Sequence, residues 1–422
     1  MLDIKFIREN KELINLASQK KHIDFKVEEL IEVDEKRRAL MSSVEKKRAE
    51  QNSASEKIAK ATDPAQRQAL IDEMKKVKSD LEKEDESLKE LMKSWQNLML
   101  RVPNIPDMSV PDGASDAENK EVKVWGEKTN FAFEPKDHVE LMLKHKMVDF
   151  ERGSKVHGFR GYFLTNDGAR LSFAIWNYAL EFFGGRGFNP IIPPIVLRKV
   201  NFLGSGYLPQ GEEDLYKTQD GDYLAGTAEV PIMGFHADEV LSHTELPKKY
   251  LGFSPCYRRE AGAHGKDVRG LIRVHEFYKF EQVVICEATH ESSVKHHEEV
   301  NRNTEEFIES LKIPYHTVVN CGGDLGQGQV KKYDIELWVP KENKYREISS
   351  ASYFHDFQTR RLNIKYKDSE GVLRYAHSLN STAIPTPRIL VSLVENYQQE
   401  DGSIKIPEVL VKYFGKDSIK ML

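Results

Sequence analysis

Cysteine is scarce in this sequence: Cys256, Cys286 and Cys321 stand 30 or more positions apart among 422 residues. That spacing excludes a disulfide framework and a CxxC metal knuckle, and it suits a reducing compartment. Without a Cys/His cluster no structural zinc is expected. Long apolar runs are missing too, and charges interrupt the hydrophobic residues of the opening Met-Leu-Asp-Ile-Lys-Phe-Ile-Arg-Glu-Asn. Neither a membrane span nor a cleavable signal is therefore expected, and the reading is cytoplasmic. There is no excess of positive charge, since 62 Lys and Arg against 67 Asp and Glu leave −5. Any contact with nucleic acid must come from a local basic patch. The sequence also lacks a GxxxxGKS phosphate loop, an HExxH helix, a GxSxG elbow and a GxGxxG placed between strand and helix. A bound nucleotide would have to be held by other means.

Helical periodicity dominates the first hundred residues. Val33, Arg37, Leu40, Val44, Lys47, Gln51, Ala54, Ile58 and Ala61 keep the 4-3 spacing of a coiled-coil seam, and so do Leu70, Met74, Val77, Leu81, Glu84, Leu88, Leu91, Trp95 and Leu98. Between the runs lies Thr62-Asp63-Pro64, an N-cap followed by a first-turn proline. One antiparallel helical hairpin is predicted over about 27–100, each arm about 50 Å long at the helical rise per residue. The basic residues Lys46, Lys47, Arg48, Lys57, Lys60 and Arg67 alternate with acids. They read equally as a solvated face or as phosphate contacts for a folded RNA. Prolines in Arg101-Val-Pro-Asn-Ile-Pro-Asp end the second helix, and the aperiodic stretch beyond it marks a domain boundary, dividing 1–110 from 111–422.

The body that follows reads as an antiparallel sheet flanked by helices, giving an α+β protein overall. A helix is predicted over Ala169–Phe183. Pro190, Pro193 and Pro194 then confine the following extended segment to an edge or a subunit interface. Strands are predicted for Tyr223–Val230, Lys332–Val339 and Lys344–Ser350. An extended entry at His377, passing Pro385 and Pro387, leads into a helix that carries Arg388.

The most distinctive stretch runs from Tyr257 to Glu281. It opens on Arg258, Arg259 and Glu260, passes a loop bearing Gly262, Gly265 and Gly270, and closes on an alternating run ending in Glu281. Guanidinium forks match phosphate oxygens, so the arginines suit a phosphate-rich ligand. Taken alone, the stretch reads more readily as a charged surface hairpin with a glycine-rich turn.

The order of these features resembles the class II aminoacyl-tRNA synthetases, and in detail the seryl-tRNA synthetases. The resemblance covers essentially the whole chain. Its most specific pieces are Thr227-Ala228-Glu229, Tyr257–Glu281, Glu347-Ile348-Ser349-Ser350 and His377-Ser-Leu-Asn380. It implies a serine–tRNA ligase that activates L-serine with ATP and transfers it to tRNA(Ser), with tRNA(Sec) as a further substrate. It also implies a homodimer whose twofold interface is built around Phe183–Val196, with no membrane partner.

The residue roles that follow rest on the resemblance. Arg258 holds the α-phosphate and the amino-acid carboxylate, with Arg259 beside it. Glu260 lies near the adenine, Val274 offers backbone contacts, and Phe277 stacks on the base. Glu347 and Ser350, with Ile348 and Ser349 between them, hold Mg²⁺ through ATP. Arg388 takes the γ-phosphate. Serine is received by Thr227, Ala228 and Glu229 around its ammonium, and by Arg258, Glu281, Asn380 and Thr382. Such a pocket is expected to reject alanine because its polar groups would be left unpaired. The stretch Ala261–Gly270 is expected to move and to order with ligand.

Two departures from the family pattern stand out. Tyr353 and His355 are bulkier than the small residues many relatives carry there, which unsettles that wall of the pocket, and Thr382 sits in Asn380-Ser-Thr-Ala in place of a glycine-bearing form. Two rival readings predict something else. A paralogue loading a carrier protein would have a shortened arm, and a non-catalytic scaffold would have lost Arg258, Glu347 or Arg388.

Overall fold

The computed structural model describes residues 1–262, 265 and 267–421. They divide into two compact units. One comprises Leu2–Gln19 with Ile23–Pro103, and the other Met1, Lys20–His22 and Asn104–Leu422.

The first unit is built on two long helices, α1 (Val27–Lys60) and α2 (Pro64–Arg101). The carboxylate of Asp63 accepts from the backbone N–H groups of Ala65 and Gln66 at 3.2 and 3.4 Å, satisfying donors that have no partner inside the helix. Every residue of the two predicted seams is at least half-buried, with Val44, Leu81 and Leu98 fully so. The charged seam members find partners across the hairpin. Lys47 donates to Glu84 at 3.0 Å, and Arg37 lies 4.5 Å from the ring centre of Trp95. The charged positions thus continue the seam instead of interrupting it.

In the second unit eight strands form one sheet: β1 (Lys120–Trp125), β2 (Asn189–Ile191), β3 (Lys248–Tyr257), β4 (Glu276–Cys286), β5 (Tyr315–Val319), β6 (Lys331–Val339), β7 (Lys344–His355) and β8 (His377–Thr386). Their order is β1-β5-β6-β7-β8-β4-β3-β2, antiparallel except for the β2–β3 edge. Four helices matter for the site: α3 (Asn166–Gly184), α4 (Glu229–Phe235), α5 (His290–Ser310) and α6 (Arg388–Asn396). Phe183 of α3, Phe307 of α5 and Leu390 of α6 pack with Phe280, Val284, Leu337 and Ile384 of the strands in one buried cluster. Among the described residues no helix is long and apolar enough to cross a membrane.

The sheet corrects the sequence reading at one place. Tyr223–Val230 is not one strand: only Tyr223–Leu224 is extended, and α4 begins at Glu229. Pro231 makes this possible, because in a first turn its missing N–H would have had no partner in any case. The hairpin strands β3 and β4 end at Tyr257 and resume at Glu276, so Arg258, Arg259, Glu260 and Val274 all belong to the connection between them. Pro190 pairs only along the outer edge, in β2, as its ring demands.

Candidate active site

One face of the sheet carries a row of polar side chains. Cross-strand register places Glu281 of β4 opposite Thr382 of β8, Asn380 opposite Ser352 of β7, and Ser350 opposite Asp334 of β6. Residues two apart on a strand share a face, which brings Lys279 up beside Glu281 and Ser350 beside Ser352.

Over this face lies the start of α4. Gly252 of β3 is what lets it approach: a Cβ there would meet Ile232 Cδ1 at 2.5 Å and Ala228 Cβ at 2.8 Å. Thr227, Ala228 and Glu229 are all buried as a result.

The groups in the pocket bond to one another. Lys279 forms a close ion pair with Glu281, and its ammonium donates to Thr227 Oγ1 at 2.9 Å and Thr382 Oγ1 at 3.4 Å. Thr227 Oγ1 donates to Glu281 at 3.2 Å. Tyr207 and Gln358 donate to the two carboxylate oxygens of Glu229, at 3.0 and 2.6 Å. Burial, reinforced by the negative charge of Glu281, raises Glu229 to about 7. Beside them the buried Nδ2 of Asn380 has no hydrogen-bond partner.

Lys279, Tyr207 and Gln358 were not among the sequence candidates. Only Lys279 left a signal there, as the same-face neighbour of Glu281.

The connection from β3 to β4 holds the next group. Arg258 is fastened by its backbone N–H to His275 O at 2.9 Å, and its Nε points to Gly226 O at 3.3 Å. Its guanidinium lies 5.3 Å from the ring centre of Phe277. Arg259 instead turns outward to Glu213 O at 3.2 Å, and so is not brought together with Arg258. Glu260 adopts a left-handed φ of 54° and pairs closely with Arg273. Val274 is buried.

Toward the far end of the connection, Leu271 N–H donates to His138 Nε2 at 3.3 Å, and the other ring nitrogen of His138 faces Glu395 at 3.0 Å. Ala263, His264 and Lys266 lie outside the described residues, and the expectation of movement in Ala261–Gly270 falls on them.

Arg388 opens α6 and spans the two regions, donating to Ile272 O at 2.8 Å and to the backbone oxygen of Glu347 at 3.0 Å. Glu347 itself is exposed and Ser350 half-buried. Ile348 is packed in the core, and Ser349 Oγ is engaged with Thr382 O at 2.5 Å, so their side chains face away from any ligand above Glu347.

Tyr353 and His355 do not form a pocket wall. Alternation puts Tyr353 on the opposite side of β7 from Ser350 and Ser352, where its hydroxyl donates to Asp107 at 2.8 Å and its ring meets His297. His355 contacts His290 and His377.

Of the six basic candidates on the hairpin, Lys47 and Arg48 are engaged with Glu84 and Asp85 at 3.0 and 2.9 Å. Lys46, Lys57, Lys60 and Arg67 are exposed.

This arrangement can fix a small zwitterion bearing a hydroxyl, and arginines stand ready for phosphate on the adjoining side. Comparison with known proteins agrees with it. The family model described as "Seryl-tRNA synthetase N-terminal domain" matches residues 1–106, and that for the "tRNA synthetase class II core domain (G, H, P, S and T)" matches residues 216–397. The serine–tRNA ligase of Deinococcus radiodurans is 44% identical over 416 residues, covering 98% of each chain. The structure of seryl-tRNA synthetase from Pyrococcus horikoshii complexed with ATP superposes with a TM-score of 0.92 at 38% identity, covering 100% of both chains. That of the cytoplasmic serine–tRNA ligase from Naegleria fowleri with AMP gives 0.87 at 34% identity, over 100% of this chain and 99% of the other. By the identity it shares with them over its whole length, the chain belongs to the seryl-tRNA synthetases, the class II family of serine–tRNA ligases.

Proposed function

We propose that the pocket between α4 and the sheet binds L-serine, that Arg258 and Arg388 receive ATP, and that the chain joins the two before passing serine to tRNA(Ser). The observation that carries this reading is the buried set Thr227, Glu229, Lys279, Glu281 and Thr382, acidic toward an ammonium and bonded through hydroxyl-sized partners elsewhere. Glu229 takes the ammonium. Glu281, Thr382 and Lys279 take the side-chain hydroxyl. Arg258 and the unpaired Nδ2 of Asn380 donate to the carboxylate.

In the first step a serine carboxylate oxygen attacks the α-phosphorus, the bond to the bridging oxygen breaks, and pyrophosphate leaves with that electron pair. Arg258 offsets charge gathering on the α-phosphoryl oxygens, and Arg388 holds the departing end. Phe277 offers a face to the adenine, flanked by the backbone of Val274 and by Glu260. In the second step a terminal adenosine hydroxyl of tRNA attacks the seryl carbonyl and AMP leaves.

Among the described residues no three His, Cys, Asp or Glu side chains are grouped to hold a metal by themselves. The carboxylate of Glu347 and the hydroxyl of Ser350 are nevertheless hard oxygen donors of the kind Mg²⁺ takes when phosphate oxygens complete its shell. Bound there, the ion would neutralise phosphate charge.

Residues 1–110 form the tRNA-binding domain in this reading and 111–422 the catalytic one. Lys46, Lys57, Lys60 and Arg67 are the exposed cations for RNA phosphates, and tRNA(Sec) is a further substrate on the same contacts. A second copy of the chain covers Ile192 and Val196, which are 81% and 53% exposed in the expected interface segment, to make a homodimer.

Serine-dependent ATP–pyrophosphate exchange, then charging of serine tRNA with and without residues 30–98, tests the proposal. Absence of exchange would sink the pocket assignment. Unchanged charging without the hairpin would sink the role of the arm.

A further inference from the structure

We propose that Gln358 is a positioning residue for serine, acting through Glu229 by fixing the orientation of its carboxylate. This rests on the reading that Glu229 receives the ammonium.

Gln358 is fully buried in the short helix Phe357–Arg361, and of the residues assigned to serine its side chain bonds Glu229. All of its polar capacity that matters is used. One N–H donates to Glu229 Oε1 at 2.6 Å, the other to Ser205 O at 3.0 Å, and its Oε1 accepts from Ser378 Oγ at 2.7 Å.

These partners allow one orientation of the amide. Rotating it by half a turn would set its oxygen against a carboxylate and a backbone carbonyl, neither of which donates. Ser205 ends the helix Lys199–Ser205, so its carbonyl lacks an intrahelical donor and Gln358 supplies one. The amide is therefore locked from two sides before it touches Glu229.

The lock has a chemical consequence. A donor aimed at Oε1 bonds that oxygen most strongly while it carries no proton, because a carboxylic hydroxyl oxygen is the weaker acceptor. A proton on Glu229 is thus favoured on Oε2, where the hydroxyl of Tyr207 can turn to accept it. Gln358 favours the acceptor form of one oxygen of Glu229 and, with Tyr207 on the other, fixes the plane of the carboxylate. The chain Ser378–Gln358–Glu229–Tyr207 is what holds that plane, since Glu229 has no cation of its own among its hydrogen-bond partners.

The test measures KM for serine and for ATP separately by pyrophosphate exchange in the full-length protein, together with the pH profile of kcat/KM for serine. Gln358→Met keeps the volume and removes the donors. Ser378→Ala cuts the chain one bond further away, and Glu229→Gln is the control for the underlying reading. Gln358→Met is expected to raise KM for serine about tenfold or more with KM for ATP within about twofold, and to shift the acid limb of the profile upward. Ser378→Ala is expected to do the same about threefold.

A folded Gln358→Met protein with unchanged KM for serine and an unmoved profile would overturn the proposal. If that variant does not fold, an unchanged KM for serine in Ser378→Ala overturns it instead. Should Glu229→Gln also leave KM for serine unchanged, it is the assignment of Glu229 that fails, and this inference with it.

Discussion

Replacing Glu281 by glutamine keeps the shape of the side chain and removes its charge, and the structure says where the loss should appear. Glu281 is 2% exposed, pairs with Lys279 and accepts from Thr227 at 3.2 Å. Breaking a buried ion pair by removing one partner costs about 3–5 kcal/mol of stability. The amide oxygen still accepts from Lys279 or Thr227, which places Glu281→Gln near the lower end, about 3 kcal/mol.

For the substrate, a hydrogen bond from the serine hydroxyl to a charged acceptor contributes about 1.5–3 kcal/mol, so kcat/KM for serine should fall about 10–150-fold. Alanine has no hydroxyl to lose, and its kcat/KM should change by less than about threefold.

The pocket also bears on the rejection of alanine. Lys279 and Thr227 both engage Glu281 through Oε2. Oε1 is then the oxygen available to the serine hydroxyl, and alanine offers it no donor. Pyrophosphate exchange with serine and with alanine, run well below a separately measured melting temperature, reads the ratio directly. A serine-to-alanine ratio unchanged in folded Glu281→Gln protein would refute the hydroxyl assignment.

Serine affinity should also depend on pH, because burial and Glu281 raise Glu229 to about 7. Below that value the empty pocket holds a neutral acid while the ammonium needs a carboxylate, so KM for serine should climb about tenfold per unit as pH falls. An acid limb absent from the wild-type profile would contradict this. Charge reversal at the exposed Lys57, Lys60 and Arg67 should weaken tRNA charging and its salt dependence while leaving pyrophosphate exchange intact. Lys47→Ala, which leaves Glu84 with Ser43 as its cross-hairpin donor, should lower hairpin stability slightly, read as a small fall in melting temperature. Gly252→Ala should raise KM for serine, since the added methyl would push against Ala228 and Ile232. Equal KM values would show that α4 has room to shift.

The hairpin was legible because its signals are local. A 4-3 spacing marks the seam residues whatever surrounds them, and Asp63-Pro64 carries its own cap chemistry. The edge placement of Pro190 was equally direct.

Tyr223–Val230 misled because the alternative to a strand depends on Gly252, a residue of another strand that no local pattern connects to α4. The pairing of Lys279 with Glu281 could be read from alternation. Gln358 and Tyr207 could not, since each reaches Glu229 through tertiary packing over many intervening residues. Tyr353 shows the converse. Counting from Ser350 along an unbroken strand already puts it on the far face, so its bulk never bore on the pocket.

The measurement that bears most directly on the whole reading is amino-acid-dependent ATP–pyrophosphate exchange by the full-length chain with serine, alanine and threonine. Robust exchange is expected with serine, at least tenfold less with alanine for want of one charged hydrogen bond, and less still with threonine. No exchange with serine, or threonine exchanging as fast, would contradict the account.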